Sequence, residues 1–218
     1  IAAVSEVAVA SSALIHELQK ERGLSAGFIG SKGGKFIDAL EKQRRDTDAR
    51  RKALADVFGG QVGDLPPAIA EHMRRANDML AAVDGKRGEI SALKLAGPDS
   101  FAFYSASIEN YLTAVGSIAP SLGDARMMRK FSAYVMFLAA KEQAGRERAT
   151  VNGMFAADAS VKVPIFQRLQ GLITAQDLYL AQFRGLADPA ATKALTDLLA
   201  TKPAQETLRM RGIAIEQA

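Results

Sequence analysis

The chain has 218 residues, a net charge of +4, 48% hydrophobic residues and neither cysteine nor tryptophan. That hydrophobic content is enough for a sizeable core, and the lack of cysteine excludes disulfides, thiolate metal sites and cysteine nucleophiles. The basic residues are scattered among acidic ones instead of forming one patch, so we expect no nucleic-acid partner.

Hydrophobic periodicity predicts helices along the whole chain, separated by short turns that contain glycine or proline. In chain order, the predicted helices span about 4–29, 36–58, 69–95, 100–119, 124–157 and 163–184, followed by a short helix from 189 and a last one from 202. Gly85 and Gly88 are the expected weak points of the third helix. Asp188 is expected to cap the short helix, with Pro189 in its first turn.

The fold class that follows is all-α. Abundant alanine and few aromatic residues favour closely packed helices over a sandwich or a barrel, and the length of the helix over 124–157 suits a bundle. We expect an elongated antiparallel helical bundle with two stacked four-helix layers. Because no low-complexity tract or flexible linker divides the chain, residues 1–218 are expected to form a single domain.

Both ends of the chain resemble points of excision from a larger protein. The sequence opens on Ile1-Ala2-Ala3-Val4 inside a helical pattern, and its last segment, 208–218, also stops within a pattern. No run of about 18 apolar residues is present in the sequence. From the two ends we expect a domain cut from a larger protein.

Two short segments start like catalytic motifs but lack the residues that the chemistry needs. His16-Glu17 begins like a zinc-protease helix, but that motif needs a second histidine where this chain has Lys20. Segment 30–36 resembles a phosphate loop, but it is one residue short, and Phe36 stands where magnesium needs a hydroxyl. With so few histidines and no cysteine, we expect no enzyme, no metal site and no cofactor.

Arg22 lies on the apolar line of the first predicted helix. At about 100° per residue, Ile15, Arg22 and Ile29 fall on one line, with Leu18 beside it. A buried cation is costly unless it is paired, so a carboxylate or an anionic ligand should meet it. No acidic residue lies three or four positions from Arg22, so its partner must come from outside its own helix.

Arg148, in the helix over 124–157, also lacks an acidic residue at helical spacing. Small residues beside both arginines, such as Gly23, Ser25 and Gly145, leave space in the seam between helices. Guanidinium groups offer paired donors that match a flat oxyanion, and two of them could share one small monoanion. The alternative is structural pairing of the arginines with carboxylates of the chain, for which the candidates are Glu21, Glu17, Glu142 and Glu147.

Three segments together resemble the NIT family, the nitrate- and nitrite-sensing domains. They are His16 to Ala26, the run Phe36…Leu40…Gln43-Arg44…Thr47-Asp48, and Lys141-Glu142…Gly145…Glu147-Arg148-Ala149. Their order and separation in an all-helical chain without cysteine carry the resemblance, which covers most of the chain. It implies a non-catalytic sensor module of the kind attached to bacterial chemoreceptors, histidine kinases, cyclases and an RNA-binding antiterminator.

The resemblance also implies a nitrate or nitrite pocket between long helices, with arginines as its main donors. Carried over by motif, the expected ligand-binding residues are Arg22, Arg148, Gln19, Ser25 and Gly145. His16 and Glu17 are expected to hold Arg22 or a helix end. Arg44 and Arg45 are expected to lie on a solvated face. The candidates for a third ligand arginine are Arg168, Arg184 and Arg209.

The family's signalling role implies that ligand binding displaces helices and that attached transmembrane and output domains receive this displacement. By the same resemblance we expect a homodimer and the periplasmic part of a bacterial inner-membrane receptor, with a cytoplasmic location as the alternative. Two other functions stay open. One is a sensor for another small ligand, such as a carboxylate or an amino acid; the other is a structural or protein-interaction bundle without a small-molecule ligand.

Overall fold

The computed structural model describes residues 2–156 and 163–216. Within these ranges the regular structure is helical and no strand occurs, which confirms the all-α prediction. The chain divides into two compact units, unit 1 over 1–123 and unit 2 over 124–218. A single domain with stacked four-helix layers stays a prediction. Among the described residues, no helix combines the length and the hydropathy that a membrane crossing requires.

Unit 1 is built from long helices that follow the predicted ranges closely. Its α-helices are α1 Ala2–Gly30, α2 Ile37–Gln61, α3 Pro67–Leu80, α4 Val83–Ser91 and α5 Gly97–Gly116. Short 3-10 turns at Val62–Asp64 and Ala119–Ser121 follow α2 and α5. Phe36, which precedes α2, has a left-handed backbone with φ 69°, and its ring fills the space above Gly27 of α1. A Cβ atom at Gly27 would lie 2.8 Å from that ring, so a larger residue there would require the Phe36 side chain to move.

The third predicted helix is interrupted, at a place that the glycines did not indicate. The break lies between α3 and α4, where the Ala81 amide is shared by the carbonyls of Asn77 and Asp78 at 3.0 and 3.2 Å. Such shared bonds are common at helix ends. Gly85 and Gly88 lie inside α4, and the helix tolerates them because its Val83, Arg87 and Ile90 are buried.

Taken together, α3 and α4 occupy one position of an antiparallel four-helix bundle. Hydrogen bonds between helices give the register: Arg44 to Ser91 and Arg51 to Asp84 between α2 and α4, Arg22 to Ser105 between α1 and α5, and Tyr111 to Asn77 between α3 and α5. Between α2 and α4, residue numbers rise along one helix as they fall along the other. The core between the helices is apolar and includes the fully buried Leu14, Leu18, Ile69, Leu80 and Ile108.

Unit 2 contains α6 Ala125–Ala156, α7 Val163–Leu186, α8 Pro189–Leu199 and α9 Lys202–Glu216. The length of α6 confirms the long predicted helix, although residue 157 of the predicted range lies outside the described residues. Packing of Phe137 against Phe183, with ring centroids 5.8 Å apart, joins α6 to α7. Asp188 caps α8 as predicted, because its Oδ1 accepts a hydrogen bond from the Ala191 amide at 2.9 Å.

The core of unit 1 can be tested at Leu14, which is fully buried in α1. Leu14→Ala should lower the free energy of unfolding by about 2–5 kcal/mol, because it removes buried methyl groups and leaves a cavity. Val9→Ala is the matched control on the same helix, since Val9 is 66% exposed, and its effect should stay below about 0.5 kcal/mol. Urea unfolding followed by circular dichroism measures both. Equal losses would contradict the placement of α1.

Candidate functional site

Arg22 is buried in unit 1, as its position on the apolar helix line predicted. It is 3% exposed. Its Nη1 donates to Ser105 Oγ at 2.8 Å, and its guanidinium carbon lies 4.8 Å from the ring centroid of Phe101. Ser105 and Phe101 both belong to α5. These two contacts orient the planar guanidinium.

Hydroxyl groups add buried donors in the same part of unit 1. Ser25, one helical turn after Arg22, is fully buried, and Ser100 of α5 is 1% exposed. Neither Oγ has a hydrogen-bond partner of normal geometry among the described residues. Gln19, the other predicted residue of α1, is 7% exposed. The structure therefore brings Arg22, Gln19 and Ser25 together in the interior of unit 1.

Glu21, the residue before Arg22, is bound by an arginine from another helix. Its Oε1 accepts hydrogen bonds from Arg87 Nε at 2.8 Å and from the Tyr104 hydroxyl at 2.7 Å, and its Oε2 accepts from Arg87 Nη2 at 3.0 Å. Burial and the charge of Glu21 raise the pKa of Tyr104, against a smaller opposing effect of the Ser25 hydroxyl. Burial alone would lower the pKa of Arg87, but Glu21 and Asp48 hold it above its usual value.

Glu17 joins α1 to α2 through its side chain. Its Oε2 accepts from Gln43 Nε2 and from Lys20 Nζ, both at 2.6 Å. Although burial alone would raise the pKa of Glu17, these hydrogen bonds hold it below its usual value. His16 is exposed.

The two arginines of segment 36–48 differ in exposure and contacts. Arg45 is exposed, as expected for a solvated face, whereas Arg44 reaches across to α4. Arg44 donates to Ser91 Oγ at 2.8 Å and to the Arg87 carbonyl at 3.2 Å. Arg44 therefore contributes to the packing of α2 against α4.

In unit 2, Glu147 of the predicted segment 141–149 is buried, and the arginine that follows it is exposed. Glu147 is 3% exposed and accepts two hydrogen bonds from Arg211 of α9, from Nε at 2.5 Å and from Nη2 at 2.7 Å. Gln176 of α7 also contacts both of them. Since successive helix positions point about 100° apart, an inward Glu147 turns Arg148 to solvent. Arg148 is therefore not buried as Arg22 is, and its role in binding stays a prediction.

Sequence reasoning missed the arginines that point inward from other helices. Arg168, Arg184 and Arg209 are all exposed, whereas Arg87 is 7% exposed and Arg211 is half-buried. A signal for both was present, because each lies on an apolar line of its own helix. Their neighbours at helical spacing are Val83 and Ile90 for Arg87, and Leu208 and Ala214 for Arg211.

Gly145, the remaining predicted ligand-binding residue, lies on α6 in unit 2. Gly145 is half-buried on α6, and Glu142, three residues before it, is 1% exposed and accepts from Arg146 Nε at 2.7 Å. Within the described ranges, no three His, Asp or Glu side chains lie close enough together to hold a metal ion.

Comparisons with known proteins give one matching family and a similar solved structure. Residues 13–218 match the family described as nitrate and nitrite sensing. No match was found among curated proteins. Among solved structures, the chain is similar to the NasR transcription antiterminator, with a TM-score of 0.87 and 21% identity over 99% of this chain and 64% of that chain. At that identity the likeness shows the fold alone, and this chain spans about two thirds of the length of NasR.

The ion pair of unit 2 is testable by removing one partner. Arg211→Met should lower the free energy of unfolding by about 3 kcal/mol. It removes the bidentate counter-charge of the buried Glu147 carboxylate and keeps the hydrogen bond from Gln176. Arg209→Met on the same helix is the control, since Arg209 is exposed, and it should leave the urea midpoint unchanged. If both variants unfolded at the same urea midpoint, the ion pair between Glu147 and Arg211 would not contribute to the stability of unit 2.

Proposed function

The chain belongs to the nitrate- and nitrite-sensing family, and from this premise we propose that it is a ligand-binding sensor domain of a bacterial signalling protein. It binds nitrate or nitrite through arginines and passes a helix displacement to an attached output domain. It is not an enzyme. The observation that carries the proposal is the burial of Arg22, a guanidinium that is 3% exposed, lies on a matched segment and is oriented by Ser105 and Phe101.

The chemistry around Arg22 suits a flat monoanion. Nitrate carries one charge over three coplanar oxygens, and a guanidinium presents paired N–H donors in a plane. The buried hydroxyl of Ser100 would cost about 1–3 kcal/mol if it stayed without a partner, so an oxyanion that accepts its hydrogen bond gains that free energy. A small anion is the ligand class that uses both kinds of donor.

We assign the ligand-binding role to Arg22, Gln19 and Ser25 in unit 1 and to Arg148 and Gly145 in unit 2. In unit 1 the support is burial and the nearby hydroxyls. In unit 2 the support is the motif Glu147-Arg148-Ala149, which repeats the acid, arginine and small residue of Glu21-Arg22-Gly23. Exposure of the Arg148 side chain leaves it accessible to an anion from solvent.

The output domain and the location belong to the proposal as well. We propose a homodimer and the periplasmic part of a bacterial inner-membrane receptor. A cytoplasmic sensor is the alternative, and it is supported by the likeness to NasR, which is a transcription antiterminator. In either location, a ligand changes the activity of the output domain only if it binds two states of the helices with different affinity.

Ligand identity is testable by thermal unfolding of the 218-residue chain with nitrate, nitrite, chloride, sulfate and acetate at matched ionic strength. At a hundred times its Kd, a ligand of the native state adds about 2.7 kcal/mol, which raises Tm by roughly 5–10 °C for a chain of this size. We expect that shift with nitrate or nitrite alone. A shift with acetate instead would favour a carboxylate sensor, and no shift with any anion would favour the interaction bundle.

The arginine assignment is testable by calorimetric titration of nitrate into variants. Arg22→Ala should weaken binding about 10- to 100-fold, because it removes charged hydrogen bonds to the ligand, and Arg22→Lys should restore only part of it because lysine lacks paired planar donors. Arg148→Ala should also weaken binding.

Arg45→Ala is the matched control, because Arg45 is an exposed arginine of unit 1, and it should bind like the wild type. Circular dichroism of each variant shows whether the helices persist. Loss of the fold in Arg22→Ala, with nitrate binding unchanged in the folded Arg22→Lys, would identify Arg22 as a structural ion-pair residue.

A further inference from the structure

A buried carboxylate stands directly before the arginine to which we assign the anion. Glu21 is fully buried in α1, one residue from Arg22. Charges interact far more strongly in a protein interior than in water, because the effective dielectric constant is lower. An ionised Glu21 would therefore repel nitrate at Arg22 unless another cation offset its charge.

Arg87 of α4 supplies that cation. It binds Glu21 in bidentate geometry, through Nε at 2.8 Å and Nη2 at 3.0 Å, and both groups are shielded from solvent, with side chains 8% and 0% exposed. Two parallel hydrogen bonds between a guanidinium and a carboxylate form one of the strongest ion pairs in proteins. The Tyr104 hydroxyl donates to the same carboxylate at 2.7 Å and completes its hydrogen bonding.

Arg87 is itself held in place by groups outside the pair with Glu21. Its Nη1 donates to Asp48 of α2 at 2.8 Å and to Asp84 of α4 at 3.1 Å, and its Nη2 also donates to the Arg44 carbonyl at 3.3 Å. The carboxylates of Asp48 and Asp84 are half or more exposed, so water screens them. Arg87 thus connects α2, α4 and α1 at the level of Arg22.

We propose that Arg87 is a positioning residue of the anion site: it neutralises Glu21, so that the charge of Glu21 does not repel an anion bound at Arg22. This inference rests on the proposed nitrate or nitrite function. It assigns a role to a residue on a helix outside the three segments that carry the family resemblance. The role is electrostatic as well as structural, and the two can be separated because they predict different effects of changing Glu21.

The electrostatic role predicts opposite effects for the two partners. Arg87→Met leaves the Glu21 carboxylate without its counter-charge, so nitrate affinity should fall by roughly tenfold or more. Glu21→Gln removes the negative charge in nearly the same shape, and Asp48 and Asp84 still hold Arg87. Nitrate affinity of Glu21→Gln should therefore rise by a few-fold while its stability falls. The double variant Glu21→Gln/Arg87→Met should bind nitrate close to the wild-type value.

The experiment is isothermal titration of nitrate into the wild-type 218-residue chain and these variants, with urea unfolding of each. Lys86→Met is the matched control, because it removes one positive charge from the same helix, where Lys86 pairs with Glu89 instead of Glu21. It should leave nitrate affinity unchanged. If Arg87→Met does not fold, Glu21→Gln carries the test, because a purely structural pair predicts that this variant binds nitrate no better than the wild type.

Each outcome has one meaning. A rise in nitrate affinity for Glu21→Gln, with a fall for Arg87→Met and recovery in the double variant, supports the proposal. If the wild-type chain binds nitrate, unchanged affinity in folded Arg87→Met overturns the proposal, as does a Glu21→Gln affinity that does not exceed that of the wild type. Either result leaves the sensor function standing. Absence of nitrate and nitrite binding by the wild-type chain overturns the proposed function, and this inference with it.

Discussion

The bidentate contact between Glu21 and Arg87 is the interaction on which the interior of unit 1 depends. A carboxylate and a guanidinium are both costly to bury, and they are tolerated because each satisfies the hydrogen bonds of the other. The pair joins α1 to α4, and Tyr104 extends it to α5. The same contact fixes the rotation of α1, and with it the direction in which the neighbouring Arg22 points.

Unit 2 repeats this device with different partners. Glu147, which also precedes the arginine of its motif, is bound in bidentate geometry by Arg211 of α9, and Gln176 of α7 takes the place that Tyr104 has in unit 1. In both motifs the glutamate has an arginine partner that comes from a helix distant in the sequence. The glutamate of each Glu-Arg-small motif therefore joins two helices through an ion pair, and this role does not depend on what the following arginine binds.

The two motif arginines differ in their surroundings, and this difference bears on function. Arg22 is enclosed and oriented by Ser105 and Phe101, whereas Arg148 is exposed on α6. A buried guanidinium beside a hydroxyl can bind a small oxyanion, and family membership makes nitrate or nitrite the natural candidate. An exposed arginine is compatible with a ligand-dependent change of state, since its environment can alter without loss of core packing.

The sequence by itself determined the helical class, most helix ends and the burial of Arg22. These follow from short-range periodicity and from turn residues such as Asp188, whose effects act within a few positions of the chain. Tertiary structure decided the break between α3 and α4, the outward direction of Arg148, and the arginines that bind Glu21 and Glu147. The physical reason is that these features depend on which helix faces a buried charge, and no local pattern records a partner more than sixty residues away.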